Sequence, residues 1–230
     1  MNRRGVGERA RYNDRMAGRA RIVSWDAHRL TDPHGQPDKA ARVRSMFDHI
    51  APTYELINRL ASLGLDTQWR REMVSVAGLR AGDVILDVAC GTGDVCRTIG
   101  GKGIVPIGIV GLDFSSEMLR IAAGRSSVGL QWCRGDAMAL PFVDQSFSLV
   151  TCAFGVRNFQ DPAAGFREMW RVMKPGGRAV LLEFGMPSHT LLRWLYGLYF
   201  RVFMPLAAST ISGDRSGAYR DLPRSVVSFG

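Results

Sequence analysis

The sequence predicts an α/β fold, a Rossmann-like and mostly parallel sheet with helices on both faces, and three observations lead to it. Between Asp83 and Phe184, short β-branched and aliphatic runs alternate with amphipathic segments. The first run, Val84, Ile85, Leu86 and Val88, closes in Gly91-Thr92-Gly93, a turn whose backbone can approach a ligand closely. Carboxylates then recur where strands end, at Asp87, Asp113 and Asp136. In open sheets of this type ligands bind at the carboxyl ends of the strands.

The periodicity places strands at 84–89, 107–112, 129–133, 148–153 and 178–184, with helices at 93–100, 116–124 and 162–173. Pro175-Gly176-Gly177 is expected to form a sharp turn into the fifth strand. Upstream, Val43, Met46, Phe47, Ile50, Tyr54, Ile57 and Leu60 recur at three- and four-residue steps interrupted by Pro52. That spacing predicts two amphipathic helical pieces over 39–64, either a cover for the core edge or a lid over a substrate site. The aromatic-rich segment Leu191 to Leu206 is too short and too charged to span a bilayer. A buried helix, a wall for a lipid tail and an interfacial membrane contact are all open readings of it.

Charge at the first turn narrows the ligand. The dinucleotide pattern G-x-G-x-x-G loses its third glycine to Cys96, and Asp87 and Asp94 flank the position a pyrophosphate would take. Two carboxylates repel a diphosphate but favour the sulfonium and ammonium of S-adenosylmethionine. Asp113, at the end of the second strand, suits the ribose hydroxyls. Asp136-Ala137, after the third, suits the adenine edge. Each position alone also has a plain structural use, such as a tight turn or an N-cap.

Composition sets the outer limits. At 230 residues, 46% hydrophobic and 22% charged, the chain suits one soluble domain, read as 39–230, behind a basic, disordered segment over 1–38. The net charge of +9 comes from 30 basic residues, nearly all Arg. Cys90, Cys96, Cys133 and Cys152 form no C-x-x-C pair and His residues are scattered, so neither disulfide nor metal site is expected. No secretory signal is read, and the expected location is the cytoplasm.

At this level of detail the chain resembles a known family. DVACGTGD, GLDFSSEML, GDAMALPF, AFGVRNFQDP, EMWRVMKPGG and LLEFGMP, in that order, are similar to the C-methyltransferases of quinone biosynthesis, which act on demethylmenaquinol or on the benzoquinol counterpart. The similarity extends from Arg42 to Phe229. It implies a class I S-adenosylmethionine-dependent methyltransferase fold and a polyprenyl quinol substrate, with peripheral contact at the inner membrane. It also implies cofactor contacts at Thr92, Asp113, Asp136 and Ala137, to which the turn adds Asp87, Gly91 and Gly93. Arg157 and Asn158 are the catalytic candidates: Arg157 to stabilise a quinolate oxygen, Asn158 to orient a ring oxygen. The alternative use of this pair is an ion pair for Arg157 and a turn cap for Asn158. Asp48, His49 and Tyr54 are weaker candidates for the proton acceptor.

Two other functions compete. Nucleic-acid methylation fits the positive charge, but Ala153-Phe154-Gly155-Val156 is neither the Pro-Pro-aromatic segment of amino-group methylation nor followed by a Pro-Cys nucleophile, so no nucleic-acid partner is expected. The family continues beyond the segment that Ser225 to Phe229 resembles, with a further helix and two strands. The expectation is therefore that the C-terminal strands are absent and the sheet edge open. A homodimer that completes the sheet, or a catalytically impaired cofactor-binding scaffold, follows from that expectation.

Overall fold

A computed structural model of the chain describes residues 39–103, 106–125 and 129–185. The segments read as a disordered lead-in, as the Leu191 to Leu206 helix and as the shortened C-terminal end lie outside the described residues. Three helices come first: α1 (Lys39–Ile50), α2 (Tyr54–Ala61) and α3 (Leu65–Val76). Then β1 (Val84–Val88), α4 (Asp94–Gly100), β2 (Gly108–Asp113), α5 (Ser116–Gly124) and β3 (Leu130–Arg134) alternate. The described chain closes with β4 (Phe147–Ala153), a 3-10 turn at Val156–Asn158, α6 (Pro162–Val172) and β5 (Met173–Leu182).

The strands form one sheet in the order β3-β2-β1-β4-β5, with every pairing parallel. Leu86 of central β1 pairs with Val110 on one side and Val150 on the other. Because side chains alternate along a strand, the two faces bury different sets. Ile85, Ile109 and Leu149 pack with Met73 and Val74 of α3 and with Val95 and Ile99 of α4. Leu86, Leu112 and Val150 pack on the other face with Met169 and Val172 of α6. Both faces being covered explains why the strands read as near-continuous apolar runs.

Local chemistry starts the helices. The Ser115 hydroxyl accepts the Met118 N–H at 3.1 Å to cap α5. The Asp161 carboxylate accepts the Ala164 N–H at 3.1 Å to cap α6, with Pro162 at its first turn. The two pieces expected over 39–64 are α1 and α2, and their inward residues Ile50 and Ile57 settle on Met118 of α5. Most strand and helix boundaries from β1 onward shift by a residue, and one shifts further. The fifth strand begins at Met173 rather than 178, because Phe147 pairs with Met173 before Leu149 pairs with Arg178, and Pro175-Gly176-Gly177 lies in the irregularity between them.

At the amino edge of the sheet, Asp83 accepts bonds from Ser148 Oγ at 2.7 Å and from Arg178 Nη2 at 2.6 Å, while Arg178 Nε donates to the Ala77 carbonyl at 2.6 Å. β1, β4, β5 and the end of α3 meet in that knot. Burial works to raise the Asp83 pKa, yet the bonds from Arg178 and Ser148 prevail and hold it at about 2. Among the described residues no helix is long and apolar enough to cross a membrane.

One packing contact depends on the absence of a side chain. The Trp132 ring of β3 fills the space where Gly93 and Gly111 would carry a Cβ, at 2.4 and 2.5 Å, and Gly93 also sits at φ +87°. Gly111→Ala should therefore cost about 1–3 kcal/mol of stability. Urea unfolding, with Gly124→Ala as the control that has open space at its Cβ, checks this.

Candidate active site

The site is built where β1 and β2 end. After β1 the chain turns through Ala89 at φ +55°, Gly91 at +55° and Gly93 at +87°, a run that aims backbone into a cleft. Ala89, with a Cβ, holds this conformation at a cost of order 1 kcal/mol. The Asp113 carboxylate stitches this turn to β2, accepting the Gly91 N–H at 2.8 Å on one oxygen and the Ser115 N–H at 2.9 Å on the other. Burial raises its pKa to about 6, and the N–H groups of Ser115, Gly91 and Phe114 keep it from rising further. After β3, Asp136 is exposed and accepts the Met138 N–H at 2.9 Å, while Ala137 is buried.

A cleft opens over these ends. Its wall brings together Gly91, Asp113, Asp136, Ala137 and Asn158, with Tyr54 of α2 opposite. Asp87, Thr92, Gly93 and Arg157, taken from the sequence as contact residues, are not on that wall. Gly93 is packed under Trp132. Thr92 is buried and its carbonyl accepts from Arg97 at 2.6 Å. Asp87 is buried in the sheet, where it accepts from Thr151 Oγ1 at 2.7 Å and Cys96 Sγ at 3.6 Å. Burial pushes Asp87 up to about 7 against those bonds.

Arg157 corrects its sequence assignment. Consecutive residues of a 3-10 turn point about 120° apart, so Asn158 faces the cleft and Arg157 does not. The Arg157 guanidinium is buried, ion-paired to Glu183 just beyond β5, and 5.1 Å from the Phe184 ring centroid. Among the described residues its Nε has no hydrogen-bond partner. Asn158 Nδ2 donates to the Phe154 carbonyl at 3.3 Å, and among the described residues its carbonyl oxygen accepts no bond. Ion pair and turn cap, the alternative uses of this pair, are both present.

Several participants carried no isolated sequence signal. Lys39, at the first residue of α1, donates from Nζ to the carbonyls of Arg157 and Phe159 and so ties α1 to the 156–158 turn; burial lowers its pKa to about 8. Glu183 lies inside LLEFGMP but matters only through its distance to Arg157. Phe154, at φ +58°, stacks on Phe184 at 4.5 Å with the Arg70 guanidinium 5.4 Å from its ring. Arg70 is itself held by Asp66 at 2.5 Å. Of the three proton-acceptor candidates, Tyr54 reaches the cleft wall, His49 is exposed, and Asp48 accepts the Ser115 hydroxyl at 2.6 Å beside the cap of α5.

The chemistry of the wall favours a cationic nucleoside. Among the described residues neither Asp87 nor Asp113 has an ion-pair partner, so a cation entering the cleft would offset their burial. A diphosphate would meet the reverse field.

Comparison with known proteins agrees with this geometry. The sequence profile of the ubiE/COQ5 methyltransferase family matches residues 36–230. A demethylmenaquinone methyltransferase of Deinococcus radiodurans is 45% identical over 196 residues, covering 84% of this chain and 80% of its own. A second of that name, from Thermus thermophilus, is 45% identical over 80% of this chain and 84% of its own. A ubiquinone/menaquinone biosynthesis C-methyltransferase of Geobacter sulfurreducens is 42% identical over 84% of this chain and 76% of its own. Among solved structures, a Haloferax volcanii protein in complex with the Trm112 methyltransferase activator aligns with TM-score 0.51 and 27% identity, covering 59% of this chain and 58% of its own.

The raised Asp87 pKa predicts a pH dependence of stability. A carboxyl whose folded pKa lies near 7 against an ordinary 3.8 favours folding in its neutral form, an advantage complete below 3.8 and lost as pH rises through 7. Asp87→Asn stays neutral throughout. Its melting temperature relative to wild type should climb between about pH 5 and pH 8, and thermal scans at both ends measure this.

Proposed function

The chain belongs to the ubiE/COQ5 methyltransferase family, and from that premise we infer that it methylates a ring carbon of demethylmenaquinol to give menaquinol. The observation that carries this reading is one cleft that joins a carboxylate-lined nucleoside end, at Gly91, Asp113 and Asp136, to an amide and aromatic end, at Asn158 and Phe154. The names of the relatives from Deinococcus radiodurans and Thermus thermophilus support the naphthoquinol. The broader name of the Geobacter sulfurreducens relative supports a benzoquinol as second substrate.

S-adenosylmethionine, when bound, supplies an electrophilic methyl group on a sulfonium. The ring carbon would gain the methyl group and lose its proton to water, with the thioether as the other product, and the chain's own residues would bind and align the two reactants. Asp113 would accept the ribose hydroxyls, Asp136 and the backbone at Ala137 would meet the adenine edge, and Gly91 would let the nucleoside lie close. At the other end, Asn158 would orient a ring oxygen so that the reacting carbon is aligned for displacement, which supplies much of the rate. Phe154 and Tyr54 would exclude water, which favours a reaction in which phenolate and sulfonium charges neutralise. Arg157 acts here as a positioning residue: paired to Glu183, it fixes the turn that presents Asn158.

Purified protein with methyl-labelled S-adenosylmethionine should label a short-chain demethylmenaquinol; a chain that binds the cofactor but labels neither naphthoquinol nor benzoquinol would overturn the proposal. Asn158→Ala should lower kcat by about 10–100-fold with cofactor Kd unchanged. Glu183→Gln should lower kcat through the same turn, and a drop in cofactor affinity instead would remove Arg157 and Glu183 from the substrate end. Cofactor binding should tighten as pH rises through about 6, where Asp113 ionises. Calorimetry on either side of that pH should show the change in wild type and its loss in Asp113→Asn.

A further inference from the structure

Asp48 of α1 belongs to a hydrogen-bond chain rather than to the cleft wall. Its Oδ1 accepts the Ser115 hydroxyl at 2.6 Å, and the Ser115 N–H donates in turn to Asp113 Oδ1 at 2.9 Å. Ser115 is fully buried; its single hydroxyl proton goes to Asp48 while its oxygen accepts the Met118 N–H at 3.1 Å. Bonds on both sides of that hydroxyl fix the backbone that aims the Ser115 N–H at Asp113. The nucleoside end of the cleft is therefore braced from α1 through one residue.

Neither packing nor capping requires a carboxylate at this position. α1 is held at its far end by Ile50 against Met118 and by Phe47 edge-on to Phe114 at 6.3 Å, and at its start by Lys39 and Ala40. The cap of α5 is complete in Ser115, and the Glu117 N–H reaches Asp48 only at 3.4 Å. What Asp48 adds is charge beside a charge. The other groups around Asp113 are Asp87 and Cys90 from β1 and its turn, Cys152 from β4, and Asp136 across the cleft wall. The Glu117 carboxylate of α5 pairs with Arg120, while Arg44 and Arg134 reach the Phe114 ring and carbonyl. Burial is what chiefly raises the Asp113 pKa, and Asp48 adds to the rise. A second carboxylate one hydrogen-bonded residue away deepens the field that a sulfonium nucleoside meets.

From this chain of bonds we propose that Asp48 is a positioning residue of the cofactor site, acting through Ser115 to hold and charge the Asp113 carboxylate, and not the acceptor of the ring proton. The proposal rests on the reading of Asp113 as the acceptor of the ribose hydroxyls. Cofactor binding is measured without quinol, so the two can fail separately.

The test is calorimetric titration of the full chain with S-adenosylmethionine. Asp48→Ala should raise Kd about tenfold. Asp48→Asn keeps an oxygen for the Ser115 hydroxyl and should restore most of the affinity at about pH 8. Without the like charge, Asp113 ionises earlier, so in Asp48→Asn the pH at which binding tightens should fall below that of wild type. In an Asp113→Asn background, Asp48→Ala should change Kd by less than about twofold. In turnover the loss should appear in cofactor KM rather than in kcat. Wild-type affinity in Asp48→Ala, beside weak binding by Asp113→Asn, would overturn this proposal alone; wild-type affinity in Asp113→Asn would remove the ribose reading with it. A kcat that collapses in Asp48→Asn while Kd holds would make Asp48 the proton acceptor and sink the proposal. Should Asp48→Ala fail to fold, the pH profile of Asp48→Asn decides, and an unmoved profile counts against the proposal.

Discussion

The Asp113 carboxylate is the contact on which the carboxyl edge of the sheet depends. Its two oxygens accept N–H groups from the β1 turn and from the start of α5, so one buried side chain sets the distance between two loops that both face the cleft. A carboxylate held only by backbone donors is buried without a counter-ion among the described residues. That leaves its charge available to a bound cation, at the expense of the unliganded fold. Asp87, deeper in the sheet, adds to the same field, and burial keeps both above the usual carboxylate range. Binding and stability therefore pull on these residues in opposite directions.

The second end of the cleft is organised by ring and guanidinium contacts. Phe154 keeps its left-handed backbone because Phe184 stacks on it, Arg70 lies over it, and its N–H reaches the Leu182 carbonyl at 2.7 Å. Arg157 and Glu183 lock the next turn, and Lys39 reaches from α1 to the carbonyls of Arg157 and Phe159. The start of α1, the turn and the end of the fifth strand are thus tied together. A methyl transfer that gains from exclusion of water and from alignment is served by such ties more than by a strong base.

From β1 onward the order of strands and helices was legible in sequence, because a parallel sheet covered on both faces writes its strands as apolar runs and its helices as amphipathic intervals; α3, over Leu65–Val76, was not read from the sequence. The Gly91-Thr92-Gly93 turn was legible for a different reason: few residues other than glycine tolerate its dihedrals. From β1 onward, boundaries moved by more than two residues only where a bulge absorbed Pro175-Gly176-Gly177 into β5. Leu60, exposed on α2, was misplaced because a three- and four-residue step does not say where the stripe ends.

Sequence by itself determined the α/β class, the carboxylates at the strand ends, and the sign of the charge the cleft accepts, since these follow from periodicity and residue type. Tertiary structure decided which of those residues reach the cleft. Asp113 and Asn158 do; Asp87 stays in the sheet and Arg157 turns away to Glu183, 26 positions along the chain. The reason is geometric. Strand pleat and turn pitch set the direction of each side chain, and a partner distant in sequence becomes a neighbour only when β4 and β5 pair.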